Sequence, residues 1–169
     1  MNQRYFKGEV KGPEPNIETE KNLSLETDAK KAIDKYKQAM SLCEFHKGVN
    51  AIWQFISIIN KYIDKNEPWS LAKDDANMPV LETILYNLIE GVRVVSCLIY
   101  PIMPQTSLNM QKTLCIAKPE GQFYTLEETA LWGQIKKGTI IAKPDSLFPR
   151  IDTSKIKPKE PVKHPKPFK

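Results

Sequence analysis

The stretch Phe45-His-Lys-Gly-Val-Asn-Ala-Ile-Trp-Gln-Phe-Ile-Ser-Ile-Ile-Asn-Lys-Tyr-Ile-Asp-Lys-Asn-Glu-Pro-Trp-Ser-Leu-Ala-Lys73 decides the fold. Phe45, Val49, Ile52, Ile56, Ile59 and Ile63 recur at alternating intervals of four and three, the period of one face of an α-helix. That stripe is expected to face a core. A second row, Trp53, Ser57, Asn60 and Asp64, runs at the same kind of spacing and is mostly polar. It faces water or a ligand, and it leads to the corner Pro68-Trp69. A Pro-Trp pair just past a helix end sets a flat aromatic face on a stiff backbone. Such a face can close a core or stack on a nucleobase. The corner by itself leaves both uses open.

On the N-terminal side, residues 1–6 read as the last turn of a helix stopped at Gly8. Glu9 to Leu25, with Pro13 and Pro15, reads as an irregular connection. Thr27 or Asp28 can cap a first full helix running to Met40, with Ala29, Ile33, Tyr36 and Met40 on one face. On the C-terminal side, Pro79 suits the first turn of a further helix. Its Leu81, Leu85, Leu88, Val92, Val95, Ile99 and Ile102 again alternate four and three, with Thr83, Asn87 and Glu90 on the other side. Much of this helix is apolar all round, which predicts the central, most buried position. Pro101 and Pro104 end it, and Gln105 to Leu114 forms a short helix with Leu108 and Leu114 inward. Thr125-Leu-Glu-Glu128 has the form of a capping box. Thr139 to Ala142 is a lone extended segment, and Asp145 to Ile151 an extended strip with two large apolar side chains to dock. The expectation is an all-α helical bundle, one domain over residues 1–152, followed by a Lys/Pro-rich linker over residues 153–169 that does not fold.

The net charge of +5 suggests a nucleic-acid partner until it is located. From Asp152 onward six lysines stand against two carboxylates, which leaves the rest of the chain at about +1. Charge alone therefore does not assign RNA binding to the folded body. Cys43, Cys97 and Cys115 lie far apart with no CxxC pair, and read as buried or half-buried thiols in a reducing cytosol. With two histidines, no metal site is expected. No segment reads as a signal peptide or a bilayer span, because Pro101 and Pro104 break the longest uncharged run. The glycines form no phosphate-binding loop, and no nucleophile, acid–base or metal constellation is present. Asp74-Asp75 reads as a solvated turn. No catalytic residue is assigned.

Several segments, in order, resemble the anticodon-binding domain of methionyl-tRNA synthetases. They are Ala51-Ile-Trp53, Asn60-Lys-Tyr-Ile-Asp64, Pro68-Trp-Ser-Leu-Ala-Lys73, Arg93-Val-Val95, Pro101-Ile-Met-Pro-Gln-Thr106, Trp132-Gly133 and Lys143-Pro-Asp-Ser-Leu-Phe-Pro-Arg-Ile-Asp152. The resemblance implies a helical bundle that holds the anticodon loop of methionine tRNA. A separate domain of the same polypeptide would make methionyl-adenylate from methionine and ATP, so this part would carry no cofactor. In the family the tryptophan of the Pro-Trp corner stacks on an anticodon base, which assigns that role to Trp69, with Pro68 fixing its backbone. The aspartate before it, matching Asp64, helps to reject wrong anticodons.

Asn60 shares the face of Asp64 and joins the candidate site, and Lys61 and Lys73 are candidate phosphate contacts. The family also reads the anticodon with an Asn and an Arg on a helix whose end matches Met1 to Phe6. Both would lie upstream of Met1, as would the catalytic domain. The chain thus reads as a fragment that binds tRNA weakly by itself, from a cytoplasmic enzyme. The other reading of the same residues is a stand-alone helical interaction module that docks an acidic protein with its basic tail.

Overall fold

A computed structural model gives the fold, and it describes residues 1–14, 24–143 and 146–150. Among the described residues the regular structure is seven α-helices, α1 (Asn2–Phe6), α2 (Leu25–Ser41), α3 (Phe45–Asn66), α4 (Pro68–Leu71), α5 (Met78–Leu98), α6 (Pro104–Thr113) and α7 (Leu126–Ala130), with a short 3-10 turn at Asp75–Asn77 before α5. The only pairing of extended backbone among the described residues is an isolated antiparallel bridge between Glu9 and Ile140. The expected linker and Ile151 lie outside the described residues.

Helix α2 begins one turn before the expected caps. Ser24 is the N-cap, its hydroxyl accepting from the Thr27 N–H at 3.2 Å. The earlier start brings Leu25 onto the face of Ala29, Ile33 and Tyr36, all buried, which lengthens the apolar contact by a turn. A tight turn with Cys43 in the left-handed region (φ 56°) reverses the chain into α3, and α2 and α3 form the most extensive helix pair.

The buried face of α3 is Gly48, Ala51, Ile52, Phe55, Ile59 and Tyr62, which keeps Ile52 and Ile59 of the expected stripe but is rotated away from the rest of it. Phe45 is 59% exposed, and Val49, Ile56 and Ile63 are half-buried. The helix is apolar over more than one face, so its period fixes the helix but not its rotation. Gly48 and Ala51 settle the rotation, since small residues let α2 approach closely.

Helix α5 is central: fourteen of its 21 residues are buried. Val92, 37% exposed, and Ile102, 41% exposed and past the helix end, depart from the expected inward row. Gly91 sits at the crossing with α3, where a Cβ would stand 3.0 Å from Ile59 Cδ1 and 3.9 Å from Phe55 Cζ. Gly91→Val is therefore expected to cost about 1–3 kcal/mol through overpacking. Urea unfolding of the full chain checks this, and an unchanged midpoint would show that the helices separate freely.

Glu90, expected on the outer side of α5, is fully buried together with Arg93. Arg93 Nε donates to Glu90 Oε2 at 2.8 Å. The Glu90 carboxylate also accepts from the backbone N–H groups of Gly133 (3.1 Å) and Ile135 (2.6 Å), and Arg93 Nη2 donates to the carbonyls of Thr129 and Leu131. This ion pair clasps the segment after α7 onto the central helix. A second polar contact ties α6 to α5: Ser107 Oγ donates to the Ser96 carbonyl at 2.6 Å, and Gln111 Nε2 donates to Ser107 Oγ at 3.0 Å. The inward residues of α6 are thus Ser107 and Gln111. Leu114 is buried as expected, but Leu108 is only half-buried.

Val10, Tyr86, Leu114, Ile135 and Ile141 form a second small core. It is closed where Val10 N–H donates to the Thr139 carbonyl and Ile141 N–H to the Gly8 carbonyl, both at 2.9 Å. Lys7, at φ 52°, takes the left-handed cap of α1 that was expected of Gly8. Gly8 is needed for another reason, because a Cβ there would lie 2.8 Å from the Ile141 carbonyl oxygen. The capping box of α7 forms between Thr125 and Glu128 as the sequence predicts. Two expectations fail at the surface. Leu147 and Phe148 are 38% and 67% exposed and not docked. Cys97 is buried as expected, whereas Cys43 and Cys115 are exposed. Among the described residues no helix is long and apolar enough to cross a membrane, and no group of His, Cys, Asp or Glu could hold a metal ion.

Candidate nucleic-acid interface

Helix α3 stops because a proline follows. Pro68 has no N–H to continue the hydrogen-bond ladder, and the residue before a proline is pushed out of the helical region. Glu67 leaves the helix in the left-handed region that helix C-termini commonly use, at φ 40° and ψ 58°. Its N–H still donates to the Ile63 carbonyl at 3.0 Å, while its own carbonyl accepts from Ser70 at 2.7 Å and Leu71 at 3.3 Å, opening α4. One residue thus ends α3 and starts α4. Pro68 is buried and Leu71 packs on the main core. Between these two anchors Trp69 is left 44% exposed. The corner closes its core contact with proline and leucine, and the tryptophan stands outside it.

The row leading to the corner is also open. Trp53 is 48% exposed, and Ser57, Asn60 and Asp64 are exposed at the helical spacing that stacks them on one face. Ser57 Oγ donates to the Trp53 carbonyl at 3.0 Å. The side chains of Asn60 and Asp64 have no hydrogen bond or ion pair among the described residues. Lys61 borders the row, and Lys73 follows α4; both are exposed. The structure thus puts Asn60 and Asp64 on one exposed face of α3, the helix that ends at the corner. Lys73 stands beyond the corner, off the row.

The end of α3 is braced from behind. Tyr62 is buried, its hydroxyl accepts from Asn87 Nδ2 at 3.3 Å, and its carbonyl accepts from Asn66 Nδ2 at 2.8 Å. The periodic stripe does not include this brace, and Tyr62, one residue before the stripe ends at Ile63, is the signal for it. Chemically the face offers a flat aromatic surface, an amide with donors and an acceptor, a carboxylate that only accepts, and flanking ammonium groups. These groups can stack on, hydrogen-bond and discriminate among unpaired bases. They form no acid–base or nucleophilic set.

The architecture is that of the helical part of an aminoacyl-tRNA synthetase. It superposes on the apo form of Mycobacterium tuberculosis methionyl-tRNA synthetase with a TM-score of 0.76 at 24% identity, covering 89% of this chain and 30% of that one. The same enzyme in complex with methionyl-adenylate gives the same TM-score. The chain belongs to the family of anticodon binding domains of methionyl tRNA ligase, which it matches over residues 13–160. It is 36% identical over 155 residues to the methionine–tRNA ligase of Caldanaerobacter subterraneus subsp. tengcongensis, covering 92% of this chain and 23% of the relative. It is 33% identical over 152 residues to that of Bacillus subtilis, covering 90% and 22%. The chain therefore spans about a quarter of the length of these curated relatives, and the matched part is the non-catalytic domain.

Proposed function

We propose that this chain holds the anticodon loop of methionine tRNA for a methionine–tRNA ligase. In this reading Trp69 stacks on an anticodon base, Pro68 fixes the backbone beneath it, and Asn60 and Asp64 meet base edges. Lys61 and Lys73 serve as phosphate contacts. The observation that carries the reading is the half-exposed Trp69 on a pinned corner, at the end of the helix whose exposed face carries Asn60 and Asp64, two side chains without partners among the described residues. Family membership supports the tRNA partner. Residues 1–152 would form the binding domain and residues 153–169 a linker. The remainder of the polypeptide would supply the chemistry, joining methionine to tRNA with ATP, in the cytoplasm where translation runs. The chain itself would bind no cofactor.

The carboxylate gives a specific test. Asp64 accepts hydrogen bonds and repels other acceptors, so it favours base edges that present donors. Asp64→Ala is expected to reduce discrimination between tRNA transcripts with methionine and altered anticodons by about 1.5 kcal/mol, roughly tenfold. Competition binding to the complete ligase measures this. An unchanged ratio with unchanged folding would remove Asp64 from the site.

A further inference from the structure

The charge of the first 151 residues is nearly balanced, yet the fold sorts it. Residues 1–14, 104–113 and 136–143 carry seven Lys and Arg against two Glu, a balance of +5. The first 151 residues stand at +1 altogether, so the remainder of them carries −4. The three basic strips are far apart in sequence, and backbone hydrogen bonds sew them into one surface. Gly138 N–H donates to the Val10 carbonyl at 2.7 Å, and Ile141 N–H to the Gly8 carbonyl at 2.9 Å. Ala142 N–H donates to the Thr113 carbonyl at 3.0 Å, which joins the end of α6 to the same seam.

The two carboxylates on this surface are already engaged. Glu9 pairs with Lys11 at 2.7 Å and Glu14 with Lys137 at 3.9 Å. Lys7, Lys112, Lys136 and Lys143 are left exposed, with no ion pair among the described residues. Lys112 and Lys143 line one depression of about 300 Å³ together with Asn109 and Thr113. Asn109 Oδ1 accepts from Gln105 Nε2 at 3.1 Å, which leaves the Asn109 amide nitrogen to donate. Like charges gathered in this way repel one another. A polyanion laid across them removes the repulsion and releases its own counterions.

Lysine is the informative residue type here. An ammonium group is a point charge on a flexible stem, which suits backbone phosphates and carries no base-edge specificity. We propose that this lysine surface binds the phosphate backbone of the same tRNA, outside the anticodon bases. The choice of polyanion rests on the anticodon reading above. Two adjacent residues of α5 tie the two surfaces together. Asn87 donates to the Tyr62 hydroxyl behind the end of α3, and Tyr86 packs with Leu114 and Ile141 in the small core that the basic strips close. The surfaces share no residue, so one can be changed without the other.

The salt dependence of tRNA binding by the complete ligase tests this. Each phosphate contact contributes about 0.7–0.9 to the slope of log K against log salt. Lys7→Gln, Lys112→Gln, Lys136→Gln and Lys143→Gln together are expected to reduce that slope by about 3. The accompanying loss of affinity should be the same for tRNA with methionine and with altered anticodons. Glutamine in place of Lys30, Lys31, Lys35 and Lys37 of α2 removes the same charge elsewhere and should change the slope by less than about 1. Trp69→Ala should lower affinity and keep the slope. An unchanged slope in the Lys7, Lys112, Lys136 and Lys143 variant, or an equal fall in both four-lysine variants, would overturn the proposal. The response to Trp69→Ala reports separately on the anticodon reading, so either can fail while the other stands.

Discussion

Replacing Trp69 by alanine in the complete ligase is expected to lower kcat/KM for methionylation by about 1–3 kcal/mol, roughly 5- to 150-fold, the range of one lost base stack. Trp69 stands 44% exposed, so its removal leaves little cavity and a small stability cost. The loss should therefore appear in tRNA-dependent steps and not in the melting temperature. Methionine activation without tRNA should keep its rate, since the corner offers no group for that chemistry. Trp69→Phe, which retains a smaller ring, should fall between. Wild-type kcat/KM in Trp69→Ala would show the exposed ring to be an unused surface residue.

Arg93→Ala is expected to be the most damaging change in the bundle, at about 3–5 kcal/mol of folding stability. Glu90 and Arg93 are both fully buried, and removing the guanidinium strands a carboxylate in the core. The backbone N–H groups of Gly133 and Ile135 would remain on Glu90, but the carbonyls of Thr129 and Leu131 would lose their donor. Since domains are stable by about 5–15 kcal/mol, such a loss is a large share of the total. Urea unfolding of the full chain measures it. Lys37→Ala, which breaks the exposed pair with Glu127, is the control and should cost far less, since solvent screens such a pair. Similar costs for the two substitutions would show that the buried pair does not clasp the segment after α7.

The sequence made most of the helices legible because each carries a long periodic pattern and a clear boundary. Pro79 and Pro104 stand in first turns, and Thr125 to Glu128 forms its box. Rotation about the helix axis was less legible. In α3 the aliphatic residues outnumber what one face can bury, and Gly48 and Ala51, silent in a hydrophobicity pattern, determine which face turns inward. Charged residues misled for a similar reason. Glu90 reads as an outer residue until Arg93, one turn on, and the backbone of Gly133 and Ile135 neutralise it. Gly133 and Ile135 lie some forty residues away in sequence, and no local pattern reports them.

At the candidate site the row from Trp53 to Asp64 and the Pro-Trp corner were legible as an open face. Whether Trp69 closes the core was not, because Pro68 and Leu71 compete for the same contact. The geometry resolves it: both are drawn inward, and the tryptophan between them is left outside.

The central claim is that Trp69 stacks on an anticodon base, and a double-mutant cycle tests it most directly. Trp69→Ala in the complete ligase is combined with tRNA transcripts made abasic at each anticodon position in turn. Direct contact gives a coupling energy of about 1–3 kcal/mol at one position and near zero at the others. Near-zero coupling at all three anticodon positions would contradict the claim.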